Sequence, residues 1–171
     1  MNYYIVIPAH NEEKFIALTL ESLVNQTALP KKVVIVNDNS TDKTTEIVLA
    51  FAEKHPWISL INKTSEAIHL PGSKVIQAFQ KGFETLDNNY DFIVKADADL
   101  IFPSNYFETI ISHFNSDSKI GMAGGFAYIE KNGVWILENL TDKDHIRGAF
   151  KAYRKECFQQ IGGLKPAMGW D

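Results

Sequence analysis

Four short apolar runs, Tyr3–Ile7, Val33–Val36, Ile58–Ile61 and Phe92–Ala96, recur along the first part of the chain. Each is too short and too rich in β-branched residues for a helix, and turn formers bound it, so the runs read as buried strands. Between them the apolar spacing changes to about 3.6 residues. Phe15, Ile16, Leu20, Leu23 and Val24 share one helical face; so do Ile47, Val48 and Phe51, and then Val75, Phe79, Gly82, Phe83 and Leu86. A further helix follows Pro103, with Phe107, Ile110, Ile111 and Phe114 inward. Strand and helix thus alternate four times, which requires right-handed crossovers and a parallel sheet covered on both faces. The expected class is α/β with a nucleotide-fold layout.

After Ile120 the pattern differs. FAYIEKNGVWIL holds two β-rich runs joined by Asn132-Gly133, a good hairpin turn pair, and a helical segment is expected around Ala149–Ile161. The 171 residues, 45% hydrophobic and 12% aromatic, fit one domain with a real core. No repeat, low-complexity tract or linker divides them. A formal charge of −4 argues against a nucleic-acid binder, which would carry a basic face. The start, MNYYIVIPAHNEE, has no basic leader and meets Pro8, Glu12 and Glu13 early, and no apolar run approaches the ~18 residues of a membrane span. A cytoplasmic location without a transmembrane segment is the expectation. Cys157 is the single cysteine, which excludes an internal disulfide and a cysteine-rich metal site, and it reads as a small buried apolar side chain. The closing Gly-Trp-Asp lacks a tapering polar tail, so a longer parent chain is expected.

Open parallel sheets bind ligands beyond the carboxyl ends of their strands. Those ends read Pro8-Ala9-His10-Asn11-Glu12, Asn37 to Asp42, the segment 64–72 and Asp97-Ala98-Asp99. The first turn has no glycine, so the Gly-x-Gly-x-x-Gly cradle for a dinucleotide is absent, as is a Walker loop. A diphosphate would need another device. Two carboxylates about 4 Å from phosphate oxygens repel by roughly 4 kcal/mol per charge pair at an effective dielectric near 20. Asp97 and Asp99 can therefore face a diphosphate only across a cation, and hard oxygen ligands suit Mg2+ or Mn2+. The i, i+2 spacing turns both to one face, with Ala98 turned away.

Taken together, VIPAHNEEKFIALTLESLVNQ, VVIVNDNSTDKT, VKADADLIFP and RKECFQQIGGL resemble the family 2 inverting glycosyltransferases of the GT-A fold, and the resemblance covers nearly the whole chain. It implies a Rossmann-like, mostly parallel sheet flanked by helices, with residues 1–119 binding a nucleotide sugar and 120–171 beginning the acceptor side. It implies that Pro8, Ala9, His10 and Glu12 line the nucleoside pocket and that Asp38 hydrogen-bonds the base, although Asn37 stands where the family often has a second acid. Asp97 would carry ribose and metal contacts, Asp99 would be the principal metal ligand, and the segment ending at Gly72 would pass over the nucleotide and move when no donor is bound. The catalytic base would be Asp171, after the Gly162-Gly163 turn, where the family commonly has a Glu-Asp pair and this chain has Trp170-Asp171. The implied partners are a nucleotide-sugar donor and a saccharide or lipid-linked acceptor, the latter met by peripheral membrane association.

Plainer readings compete. Asp97 and Asp99 could form a solvated turn or a helix cap, but their place at a fourth strand end favours a site. Asp142, Asp144 and His145 lie outside the alternating pattern and read as a solvated loop, not a second metal cluster. Ser40, Thr41 or Asp42 is expected to cap the second helix. Lys74 and Lys95 could offset phosphate charge, yet lysines beside strands and helices are ordinarily solvated. Two rival functions remain: a polyprenyl-phosphate glycosyltransferase, since DADLIFP resembles that group's DADL-x-x-P, and a nucleotide-sugar-binding module without transfer.

Overall fold

The computed structural model describes residues 1–64, 73–138 and 145–165. Its elements run β1 (Tyr3–Ala9), α1 (Ile16–Val24), β2 (Lys32–Asp38), α2 (Thr44–Lys54), β3 (Ile58–Lys63), α3 (Ser73–Phe83), β4 (Phe92–Ala96) and α4 (Tyr106–Ser116). There follow β5 (Met122–Ala123), β6 (Tyr128–Lys131), β7 (Val134–Leu137), β8 (Phe150–Arg154) and α5 (Lys155–Gln160). The main sheet has the order β3-β2-β1-β4-β8-β5, with β1 to β4 mutually parallel and β8 antiparallel to both neighbours. Strands β1, β2 and β4 are buried on both faces almost throughout, which explains why they read as unbroken apolar runs.

Alternation along those strands divides the core into two layers. Tyr3, Ile5, Ile7, Val33, Ile35, Phe92 and Val94 face α1, α2 and α4 through Ile16, Leu20, Leu23, Val48, Phe107 and Phe114. Tyr4, Val6, Val34, Val36 and Ile93 face α3 and α5 through Ile76, Phe79 and Phe158. The first layer is centred on Tyr3, whose ring stacks on Phe92 at 4.9 Å and on Phe107 at 4.8 Å. In the second, Gly82 brings α3 close to the sheet: a Cβ there would lie 2.6 Å from Val6 and 2.7 Å from Val36.

The expected hairpin is present. Asn132 and Gly133 both have positive φ, as a tight two-residue turn requires, and Tyr128 to Lys131 pair with Leu137 to Val134. Three expectations need correction. The segment Ala149–Ile161 is a strand followed by a short helix: β8 inserts between β4 and β5, and only Lys155–Gln160 is helical. Sheet pairing overrides the helical spacing there. Phe15 precedes α1 and is 48% exposed, and Val75 is 38% exposed; neither faces the core. Among the described residues no helix is long and apolar enough to cross a membrane.

Candidate functional site

From β1 the chain steps outward to β2 and β3, then returns across the sheet to place β4 on the other side of β1. That reversal opens a crevice beyond the ends of β1 and β4, where ligands bind in folds of this class. A cleft of about 430 Å³ lies there. It is lined by Pro8, Ala9, His10 and Glu12 from the end of β1, Asp38 and Asn39 from β2, Asp97, Ala98 and Asp99 from β4, and Lys74, Val75 and Ala78 from α3. The exposed side of Val75 therefore belongs to the cleft.

The ends of β1 and β2 are bound to each other by reciprocal hydrogen bonds. Asn11, whose φ of 55° an asparagine tolerates, donates its backbone N–H to Ser40 Oγ (2.9 Å) and accepts from the Thr41 N–H through Oδ1 (2.8 Å). The Glu12 N–H donates to Thr44 Oγ1 (2.8 Å), and the Glu13 N–H donates to Asp42 Oδ2 (3.0 Å). Asp42 Oδ1 also accepts from the Thr44 N–H (3.0 Å), so Asp42 serves the start of α2. His10 Nδ1 lies 2.6 Å from the Asp38 carbonyl oxygen, which can only accept, so Nδ1 carries the proton. Asn37 donates to Thr45 Oγ1 and Asn62 Oδ1 and accepts from the Ser40 N–H, a bracing role. The Asp38 carboxylate is 3.8 Å from Lys63 Nζ.

The Asp-x-Asp turn is held from several sides as well. The Asp97 N–H donates to the Ala149 carbonyl (2.8 Å), and the buried Thr19 hydroxyl donates to the Ala98 carbonyl (2.7 Å). Ala98 is buried in the core, while Asp99 is exposed at the cleft and Asp97 half-buried. Lys95 corrects the expectation of a solvated lysine: it is 1% exposed, and its Nζ donates to Asp97 Oδ1 at 2.7 Å. Alternation could have found it, since residues 95 and 97 point to one face of a strand buried on both sides. Thr19 and Asn11 had no such signal, because their partners lie 79 and about 30 residues away.

Negative charge accumulates in the cleft. Burial raises the Glu12 pKa, and the charges of Asp99, Asp42 and Asp97 raise it further, partly offset by His10. Among the described residues, no group of three or more His, Cys, Asp or Glu forms a ready metal cage. Mg2+ does not demand one, because waters and substrate phosphates complete its shell around one or two carboxylates. Asp99, an exposed hard-oxygen donor on a fixed turn, fits such an ion; Asp97, with one oxygen already bonded to Lys95, has the other to offer.

Of the residues expected at the site, Pro8, Ala9, His10, Glu12, Asp38, Asp97 and Asp99 converge on the cleft, as does Lys74. Gly72 and Asp171 lie outside the described residues, as do Asp142 and Asp144; His145 is exposed.

The profile of the family "Glycosyl transferase family 2" matches residues 4–166. The probable glycosyltransferase YdaM of Bacillus subtilis is 40% identical over 185 aligned positions, covering 93% of this chain and 42% of YdaM. In fold, the chain is similar to the mannosyltransferase PcManGT from Pyrobaculum calidifontis in complex with GDP-Man and Mn2+, with a TM-score of 0.72 at 19% identity, covering 99% of this chain and 49% of that one. It is also similar to S. aureus TarS in complex with UDP-GlcNAc, with a TM-score of 0.66 at 21% identity, covering 96% of this chain and 49% of that one. The chain thus spans less than half the length of each of these relatives. With the parallel sheet, the switch-point cleft and the paired aspartates in place, the conclusion is that the chain belongs to glycosyl transferase family 2.

Proposed function

We propose that this chain is the donor-binding part of a glycosyltransferase that moves a sugar from a nucleoside-diphosphate sugar to an acceptor hydroxyl with inversion, using Mg2+ or Mn2+. The observation that carries this reading is the convergence of Glu12, Asp97 and Asp99 on one cleft whose backbone is fixed from both sides. A diphosphate entering it meets surplus negative charge, so a cation must mediate. Asp99 would hold the ion, with Asp97 beside it, and the bound ion would supply Lewis-acid stabilisation of the leaving diphosphate.

The chain's own residues bind and orient. Pro8, Ala9, His10, Glu12 and Asp38 would enclose the nucleoside, and Lys74 at the start of α3 would face the phosphates. Gly72 would lie over the nucleotide. In the transfer step the acceptor oxygen attacks the anomeric carbon as the bond to the diphosphate breaks. The acceptor proton passes to a carboxylate, which we assign to Asp171, a general-base contribution of about 10²–10⁴ in rate. Residues 1–119 would form the donor side and 120–171 the start of the acceptor side, with a saccharide or lipid-linked hydroxyl as acceptor. The neighbours, bound to GDP-Man or UDP-GlcNAc, support the donor class without choosing the base.

Calorimetric titration of UDP and of GDP, in Mn2+ and in chelator, tests the reading. One of the two nucleotides is expected to bind more tightly with Mn2+, and Asp99→Ala is expected to remove that gain in a folded protein. Equal affinity in both buffers would overturn it.

A further inference from the structure

The floor beneath the cleft lining carries a buried charge of its own, Lys95. Lys95 lies mid-strand in β4, in register with Val6 of β1 on one side and Lys151 of β8 on the other. It is almost fully buried, on the sheet face that carries Val6, Ile93 and Tyr153. Burying an ammonium is costly and pairing it seldom recovers more than the cost, so an apolar residue would serve the core at least as well. The cross-strand neighbour in β8 is Lys151. Yet the Nζ is aimed along the strand at Asp97 Oδ1, 2.7 Å away, and Asp97 is 40% exposed toward the cleft.

We propose that Lys95 is an internal counter-ion and positioning residue for Asp97, a role that rests on the donor-binding reading above. Lys95 fixes Oδ1 and leaves the second oxygen to the cleft. It also offsets Asp97 from below, so the cleft carries less negative charge toward an incoming diphosphate than its four carboxylates, Glu12, Asp38, Asp97 and Asp99, alone would give. Lys95 is not among the residues that line the cleft. It acts through Asp97, and removing it both releases that side chain and returns a full negative charge to the site.

The test is a double-mutant cycle of Lys95→Met, Asp97→Asn and the pair, read by calorimetry with UDP and GDP in Mn2+, by titration of Mn2+ alone, and by thermal melting. Lys95→Met is expected to weaken nucleotide binding about tenfold in the wild-type background and less than about twofold in the Asp97→Asn background. Mn2+ alone is expected to bind Lys95→Met at least as tightly as wild type, because a negative charge has been uncovered. A purely structural lysine would lower the melting temperature and leave both affinities unchanged, and that result overturns the proposal. Equal weakening in both backgrounds overturns it as well, since the effect would not pass through Asp97. If Lys95→Met does not fold, Lys95→Gln carries the same comparison. The two readings fail separately. If Asp97→Asn weakens binding and Lys95→Met does not, only the counter-ion role falls; if neither Asp97→Asn nor Asp99→Ala changes nucleotide affinity, the donor site itself falls.

Discussion

At the Asp97–Asp99 turn, three hydrogen bonds join Asp97 and Ala98 to the segment before β8, to α1 and to the floor of β4, whereas the eight paired residues of the β6–β7 hairpin leave most of their side chains in solvent. The Glu138 N–H to the Ala127 carbonyl extends the hairpin's own ladder by one rung, and the ion pair of Arg147 with Glu138 links it to the segment before β8. Its shape is set locally, by a two-residue turn with positive φ, while the aspartate turn is set by contacts remote in sequence. The difference teaches where precision is needed. A site that concentrates like charges must be held by its surroundings, because left to themselves the carboxylates would separate; a short hairpin needs only its turn and its register.

The largest expected effect comes from the core layer that β1 and β4 share with α4. Tyr3→Ala removes the ring stacked on both Phe92 and Phe107 and is expected to cost about 3–5 kcal/mol in denaturant unfolding, the range for aromatic truncations. Next, Gly82→Ala drives a methyl into Val6 and Val36, and about 1–3 kcal/mol of overpacking should appear in the same measurement. Thr19→Val keeps the shape but orphans the Ala98 carbonyl, so a loss of about 1–3 kcal/mol is expected, together with weaker nucleotide binding. Smaller again is a pH effect at the opposite end of the sheet. Hydrogen bonds from Lys32, Tyr4 and the Asn89 N–H hold the Asp87 carboxyl well below the usual carboxylate range. The stability this supplies is complete above the ordinary carboxylate pKa and is lost as pH falls toward the depressed folded value, so Asp87→Asn should flatten the acid limb of a stability–pH curve. Trp135→Ser, at a site 57% exposed, sharpens the contrast from the other side: a change within about 0.5 kcal/mol is expected.

The parallel half of the fold was legible because β1, β2 and β4 are buried on both faces and the helices on one, and each condition leaves a periodicity in the residues; the edge strand β3 is only partly buried. The same logic brought seven of the expected site residues to one cleft, since strand ends in such a sheet share an edge. Strand β8 was illegible for an equally physical reason. Phe150, Tyr153, Cys157, Phe158 and Ile161 recur at helical spacing, and what makes Phe150–Arg154 a strand is the open edge of β4, more than fifty residues upstream. Phe15 and Val75 fit a helical face in the sequence but precede or open their helices, where the face is not yet closed by packing. Lys95 departs from a lysine's usual preference for water because its position in β4 is buried on both faces of the strand.

The central claim is that an acidic strand end binds an activated sugar's diphosphate through a cation. Its most direct test is the anomalous signal of manganese in crystals soaked with Mn2+ and a nucleotide sugar. A manganese peak beside Asp99 is expected, with the diphosphate bound to it next to Asp97 and the nucleoside against Pro8, Ala9, His10 and Glu12. A manganese ion bound elsewhere, or a donor lodged away from residues 97 to 99, would contradict it.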